Sequence, residues 1–267
     1  MRGLVDIYAQ QFKVTLASFI QYRAALVIWL IGHVLEPLIY LVVWTTVTRS
    51  TGGEVGGFTA ADFAAYFIVL MVVNHLTYTW IMYEYDYRVR KGTLSPDLLR
   101  PVHPIHSDIA DNITSKLITL PGMLAIAALM SLVFRPAFRA VPWATAAFVP
   151  VVLLAFIVRF VTEWTLALAA FWTTRVSALN QAYFMAMLFF SGQIAPLELL
   201  PQPVRVVAFV LPFRWAVGFP AELFLGRLTP GQVLTGVGMQ LAWLTAGLVL
   251  MRSVWRAGLK VYSAVGA

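Results

Sequence analysis

Cysteine is missing altogether from the 267 residues, which removes disulfides, thiolate metal sites and cysteine nucleophiles together. Charge is scarce: 12% of residues are Asp, Glu, Lys or Arg and 60% are hydrophobic, where an ordinary soluble domain carries roughly 25% and 45–50%. So little charge cannot coat a soluble surface of this size. Several stretches instead approach the roughly 20 apolar residues that cross a bilayer core of about 30 Å. No G-x-x-x-x-G-K-[ST], G-x-S-x-G or H-E-x-x-H occurs, so the P-loop phosphate cradle and the common hydrolase and zincin sites are excluded. His103, His106, Asp108 and Asp111 bring together imidazole and carboxylate, but Pro104 separates the histidines and Asp108 suits a helix cap, so no metal or cofactor is assigned.

What is present reads as membrane topology. The net charge of +7 is spread over short connecting segments rather than one polar stripe, which argues against a nucleic-acid partner. Candidate spans are Ala24 to Thr48, Asp62 to Met82, Ile109 to Phe134, Pro142 to Trp172, Ser177 to Gly192 and Gln232 to Val254. Ahead of them, Leu4, Ile7, Tyr8, Phe12, Leu16 and Phe19 recur at helical spacing with Asp6, Gln10, Lys13 and Gln21 between them. Residues 1–23 therefore predict an amphipathic helix on the membrane surface rather than a signal peptide. With both termini cytoplasmic, the inner side holds Arg2, Lys13, Arg23, Arg88, Arg90, Lys91, Arg100, Arg175, Arg252, Arg256 and Lys260, and the outer side holds Arg49, Arg135, Arg139, Arg205, Arg214 and Arg227. That bias favours both termini inside. No fixed-period repeat or soluble domain is evident, so 1–267 is one membrane domain of all-α, polytopic class.

Two segments carry the most information. Residues 83–108, YEYDYRVRKGTLSPDLLRPVHPIHSD, form the longest polar stretch. Gly92 can end the preceding helix. Ser95 and Pro96 suit the N-cap and first position of a short helix, and Pro101 and Pro104 forbid a long one. Such a stretch is either a solvated loop or a docking element. In the second segment, Ser191 to Gly226, Pro196, Pro201, Pro203 and Pro212 punctuate an apolar background after a fifth span of only about 16 residues. Half-helices dipping into the outer leaflet over 195–214 are expected, or else an external loop with interfacial aromatics.

An amphipathic N-terminal helix, six spans, Arg88-Val-Arg-Lys-Gly92-Thr-Leu94 followed by Leu98-Leu99-Arg100-Pro101, and the late hairpin occur in that order. With Gly192, Pro196-Leu197, Leu200-Pro201 and Leu211-Pro212-Phe213, nearly the whole chain resembles a type 2 ATP-binding-cassette exporter permease. The resemblance implies a six-helix membrane subunit of a bacterial inner membrane with re-entrant extracellular helices between spans five and six. It also implies pairing with a second permease, identical or paralogous, and docking of a separate ATP-binding-cassette ATPase. Carried over by position, Arg88, Arg90, Lys91, Gly92, Leu94, Leu98, Leu99 and Arg100 would form the ATPase-docking surface, with hydrophobic or amphipathic cargo.

Ionisable residues inside spans are functional candidates. Arg159 and Glu163, four apart, share a helical face and can pair. Glu36, beside Pro37 and near His33, suits a translocation path or dimer interface. Lys116 lies close enough to the span end to snorkel, and Asn74 and His75 suit interhelical hydrogen bonds. Two other readings remain: a secondary transporter coupled through Arg159, Glu163 or Glu36, and a non-transporting membrane scaffold.

Overall fold

The computed structural model describes residues 2–139, 141–173 and 176–262; Arg175, counted above among the inner charges, lies outside them. Helix α1 (Arg2–Gln21) precedes α2 (Arg23–Ser50), and the turn that follows is a tight hairpin of two short strands, β1 (Glu54–Val55) and β2 (Phe58–Thr59). Then follow α3 (Ala60–Thr77), α4 (Ile81–Arg90), α5 (Ser95–Leu98), α6 (Ile105–Phe134) and α7 (Pro142–Ala167), which runs into a 3-10 turn at Leu168–Phe171. After α8 (Val176–Phe190) come a 3-10 turn at Leu197–Leu199, α9 (Gln202–Val210), α10 (Pro212–Ala216), α11 (Gly218–Phe224) and α12 (Pro230–Val261).

Local chemistry sets the starts of two long helices. Thr59 and Asp62 form a reciprocal capping box at α3, and Thr229 with Gln232 forms another at α12, where Pro230 takes the first helical turn. Among the described residues, five helical stretches are long and apolar enough to cross a membrane: Val27–Ser50, Ala60–Arg90, Ile105–Phe134, Pro142–Phe171 and Pro230–Val261. The expected fifth span is α8, whose 15 residues fall short of that length. The second span also differs from expectation. Counted as one stretch, Ala60–Arg90 runs 31 residues, roughly 46 Å at 1.5 Å per residue, which exceeds a core of about 30 Å and carries the charged end of α4 beyond it.

Helix α3 is the axis of the fold. Phe63 to Met71 are buried without interruption, as befits a helix apolar on every side, and α2, α6, α7 and α11 pack around it. The outward faces of its neighbours remain apolar and exposed, including Val27, Ile31 and Leu35 on α2, Leu129 and Leu132 on α6, and Val249 and Leu250 on α12. These faces suit lipid. Both chain ends approach the same end of the bundle: Thr15 on α1 donates to Asp111 at 2.7 Å, and the Tyr262 hydroxyl lies 2.9 Å from that of Ser95. At the opposite end the Ala137 amide donates to the Ala61 carbonyl at 3.0 Å, beside the β-hairpin.

The proline-rich segment is built of four short helical pieces reaching to Phe224, so its irregular stretch is longer than the 195–214 expected from the prolines. Pro196, Pro201 and Pro212 each stand at the start of one of these pieces, where a missing amide costs no hydrogen bond. Two bonds fasten the start of the segment: Trp44 Nε1 donates to the Ile194 carbonyl at 2.8 Å, and the Tyr66 hydroxyl donates to the Gly192 carbonyl at 2.9 Å. Gly192 has φ +93°, and a Cβ there would lie 2.5 Å from the Tyr66 hydroxyl. Gly192→Ala is therefore expected to lower the thermal midpoint of the detergent-solubilised protein more than Tyr66→Phe, which forfeits about 1 kcal/mol. Unchanged tryptophan-fluorescence melting of both variants would contradict this anchor.

Candidate functional site

Helix α4 carries Glu84–Arg88 and Asp86–Arg90 pairs at i, i+4 spacing. Arg88 does more than close a surface pair. Its guanidinium donates at 2.8 Å to Asp108, which is buried in the first turns of α6. The other Asp108 oxygen accepts from the Tyr85 hydroxyl at 3.1 Å and from Trp164 Nε1 of α7 at 2.9 Å. One carboxylate thus binds α4, α6 and α7 together. This corrects one expectation: Asp108 does not cap α6, which begins three residues earlier with Pro104 at its N-cap. Arg88, which keeps part of its side chain exposed, also braces the segment.

The rest of the segment divides in the same way. Gly92, at φ +68°, turns the chain after α4. Leu94 is fully buried, and Leu98 packs half-buried against the core. Ser95 does not cap a helix; it lies inside α5 and its hydroxyl is taken up by Tyr262. His103 is held against the rings of Trp164 and Trp255, at 5.7 and 4.6 Å, and burial with His106 nearby pushes its pKa below the usual imidazole range. Exposed at the tip are Arg90, Lys91, Leu99 and Arg100, with Leu99 presenting 87% of its surface. Four of the eight expected docking residues therefore face out, and the others anchor them.

Between α3 and α4, residues 78–80 leave the helix. Irregular backbone at membrane depth needs protein partners for its polar groups; α6 supplies one, and side chains of α7 and α8 bond one another and the side chains around the break. Lys116 of α6 donates to the Tyr78 carbonyl at 2.6 Å. It does not snorkel as expected, because this carbonyl offers a partner within reach inside the protein. Thr79 donates to Glu163 in a short hydrogen bond. Arg159 meets Glu163 at 2.7 Å, Asn74 at 2.7 Å and Thr77 at 3.1 Å, while the Tyr183 hydroxyl of α8 donates to Glu163 at 3.2 Å. Asn74 is the interhelical partner expected of it, and His75 reaches Thr119 at 3.1 Å. The expected Arg159–Glu163 pair thus exists, but it is spent on holding the break.

Glu36 is exposed on α2 and shares a small cleft with Tyr40, Leu70, Asn74 and Gln193. It has no ion-pair partner among the described residues. Of the three expected path residues, two are bonded to each other, and the third reaches them only through Asn74.

A family model described as ABC-2 family transporter protein matches residues 34–266. The chain belongs to this ABC-2 family. No curated protein matches it. Permeases of the family are membrane transport components that are not themselves catalytic and that typically work with an ATPase partner. In this permease Asn74, Arg159 and Glu163, all within the spans, bond one another.

Sequence reasoning missed several of those contacts. Thr79 and Tyr183 carry no signal in sequence, since a hydroxyl in an apolar run most often bonds its own helix. Arg214 was counted among the external charges, but it is buried with Glu222 at 2.7 Å. Eight residues and a helix break separate that pair, so no helical periodicity betrays it. Removing one partner of a buried pair costs about 3–5 kcal/mol, whereas replacing both with apolar groups is often neutral. Glu163→Gln or Arg159→Met should therefore depress the permease's melting temperature sharply, and Arg159→Met/Glu163→Leu should recover part of the loss. Equal stability of Glu163→Gln and the parent would remove the network from this role.

Proposed function

We propose that this chain is the membrane-spanning permease subunit of an ATP-driven exporter. In this reading it lies in a bacterial inner membrane, crosses it six times with both termini cytoplasmic, and pairs with a second permease to form a path for a hydrophobic or amphipathic substrate. A separate ATPase docks on the tip of the 83–108 segment. The observation that carries the reading is the division of that segment: Arg90, Lys91, Leu99 and Arg100 are open to a partner, while Arg88 and Asp108 weld the same segment to α6 and α7. A push on the tip would therefore reach several spans rather than bend a loop.

Further features support the arrangement. Thr15 beside Asp111 and Tyr262 beside Ser95 bring the N-terminal helix and the end of α12 to the docking end. This agrees with six crossings, α8 being the short fifth. Its shortness agrees with proline-started pieces that continue from it as a re-entrant element in the outer leaflet. The excess of Lys and Arg at the docking end orients it to the cytoplasm. In this reading, closure of two ATPase subunits is carried through α4 and the spans bonded to it and becomes an outward opening of the dimer.

Changing Arg90, Lys91 and Arg100 together to Glu should leave the permease inserted and folded, because exposed ion pairs contribute only about 0–1 kcal/mol. The same change should release the ATPase that co-purifies from the native host in mild detergent. Arg88→Glu should instead reduce the yield of folded protein. An ATPase retained in stoichiometric amount by the triple variant overturns the docking assignment, and substrate transport by vesicles lacking any ATPase overturns the energy source.

A further inference from the structure

Ionisable groups deep in the spans are bonded within the protein, with one exception. Arg159 and Glu163 meet at 2.7 Å, and Lys116 donates to the Tyr78 carbonyl at 2.6 Å. The Glu36 carboxylate, by contrast, has neither an ion pair nor a hydrogen bond among the described residues. It lies well inside the span Val27–Ser50, roughly 14 Å from the Val27 end at about 1.5 Å per residue. An unpaired carboxylate at that depth is costly in lipid and calls for a cation.

The surroundings of Glu36 suit a cation as well. Trp29, His33, Glu36 and Tyr40 follow one another at spacings of three and four residues and so share one face of α2. Beside Glu36, the side chains of Tyr40, Asn74 and Gln193 line a notch of about 10 Å³, which is about the room that one water or one ammonium group occupies. No Lys or Arg lines it. Asn74 gives its oxygen to Arg159 at 2.7 Å, and that guanidinium is already matched by Glu163. Gln193 donates its amide to Ser191 Oγ at 2.9 Å, which leaves its carbonyl oxygen as an acceptor. His33 Nδ1 lies 3.1 Å from the Trp29 carbonyl and must donate to it, so in the neutral ring Nε2 is an acceptor too. Half-buried rings continue from His33: it meets Tyr78 edge-on at 4.9 Å, Tyr78 stacks on Phe184 of α8 at 6.3 Å, and Phe184 stacks on Tyr83 at 5.9 Å. Such ring faces attract cations and offer an apolar body a surface to lie on.

We propose that the cargo of this permease is a lipophilic cation, a protonated amine on an aromatic or aliphatic body. Its ammonium sits on Glu36 and its body lies along the rings of Tyr78, Phe184 and Tyr83. Calling the ligand a cargo rests on the exporter reading; the binding site itself does not.

The test measures binding to the full-length permease in phosphatidylcholine nanodiscs, with no ATPase present. Dansylcadaverine, an aromatic body with a primary ammonium, is compared by fluorescence with its N-acetyl derivative and with dansylglycine, which carry the same rings on a neutral and an anionic head. The ammonium probe should bind saturably above empty nanodiscs, and the other two at least about tenfold more weakly. Glu36→Gln should lower its affinity about tenfold, the loss of one charge-assisted bond, and should leave the thermal midpoint unchanged because Glu36 makes no bond within the fold. Glu36→Asp should keep the preference for the ammonium head. Equal affinity for the acetylated probe overturns the proposal, as does parental affinity in Glu36→Gln. Loss of permease pairing in Glu36→Gln with probe affinity intact overturns it too and gives Glu36 to the dimer interface. Adding the co-purified ATPase separates the two readings. Probe binding without ATP-dependent transport supports the site and overturns the exporter, whereas ATP-dependent transport of a neutral or anionic cargo by a permease that does not bind the ammonium probe supports the exporter and overturns this cargo class.

Discussion

The fold turns on the cost of unpaired backbone in lipid. The second span breaks at residues 78–80, where Lys116 of α6 bonds the Tyr78 carbonyl. Arg159 and Glu163 form a side-chain network beside the break: Arg159 reaches Asn74 and Thr77 on α3, and Glu163 takes the hydroxyls of Thr79 in the break and Tyr183 on α8. An ion pair that would be a liability alone becomes affordable when its spare donors and acceptors are filled in this way. The same bonds tie α7 to α3 and α8 to α7, beside the continuously buried run Phe63 to Met71 of α3.

A second carboxylate repeats the principle at the membrane edge. Asp108 collects Arg88, Tyr85 and Trp164, so the long polar segment is stiff at its root and exposed only at its tip. The outer end is organised differently, by proline-started pieces fastened through Trp44 and Tyr66 to the first two spans.

Much of this was legible in the sequence. Scarce charge and long apolar runs specify a polytopic helical membrane protein, and Gly92 and the prolines mark the interruptions. The i, i+4 spacing of Arg159 and Glu163 reveals their pairing because both sit on one helix. Arg214 with Glu222, Arg88 with Asp108 and Lys116 with Tyr78 were not legible, since each joins different elements and nothing local distinguishes such a residue from a solvated or snorkelling one. The break at residues 78–80 was equally hidden: Tyr78, Thr79 and Trp80 contain neither proline nor glycine, and only neighbouring side chains make a non-helical conformation there tolerable.

The sequence by itself determined the solvent, the helical class, the order of the segments and the family, because these depend on composition, periodicity and local turn chemistry. Tertiary structure alone decided which charges are struts and which are surface. It divided the eight residues expected to dock a partner into four exposed and four wholly or partly covered, and it turned Lys116 from a snorkelling side chain into the partner of the Tyr78 carbonyl. The physical reason is one of range. Periodicity and capping act within a few residues, whereas the fate of a charge in lipid depends on which partner, however distant in the chain, comes within hydrogen-bonding reach.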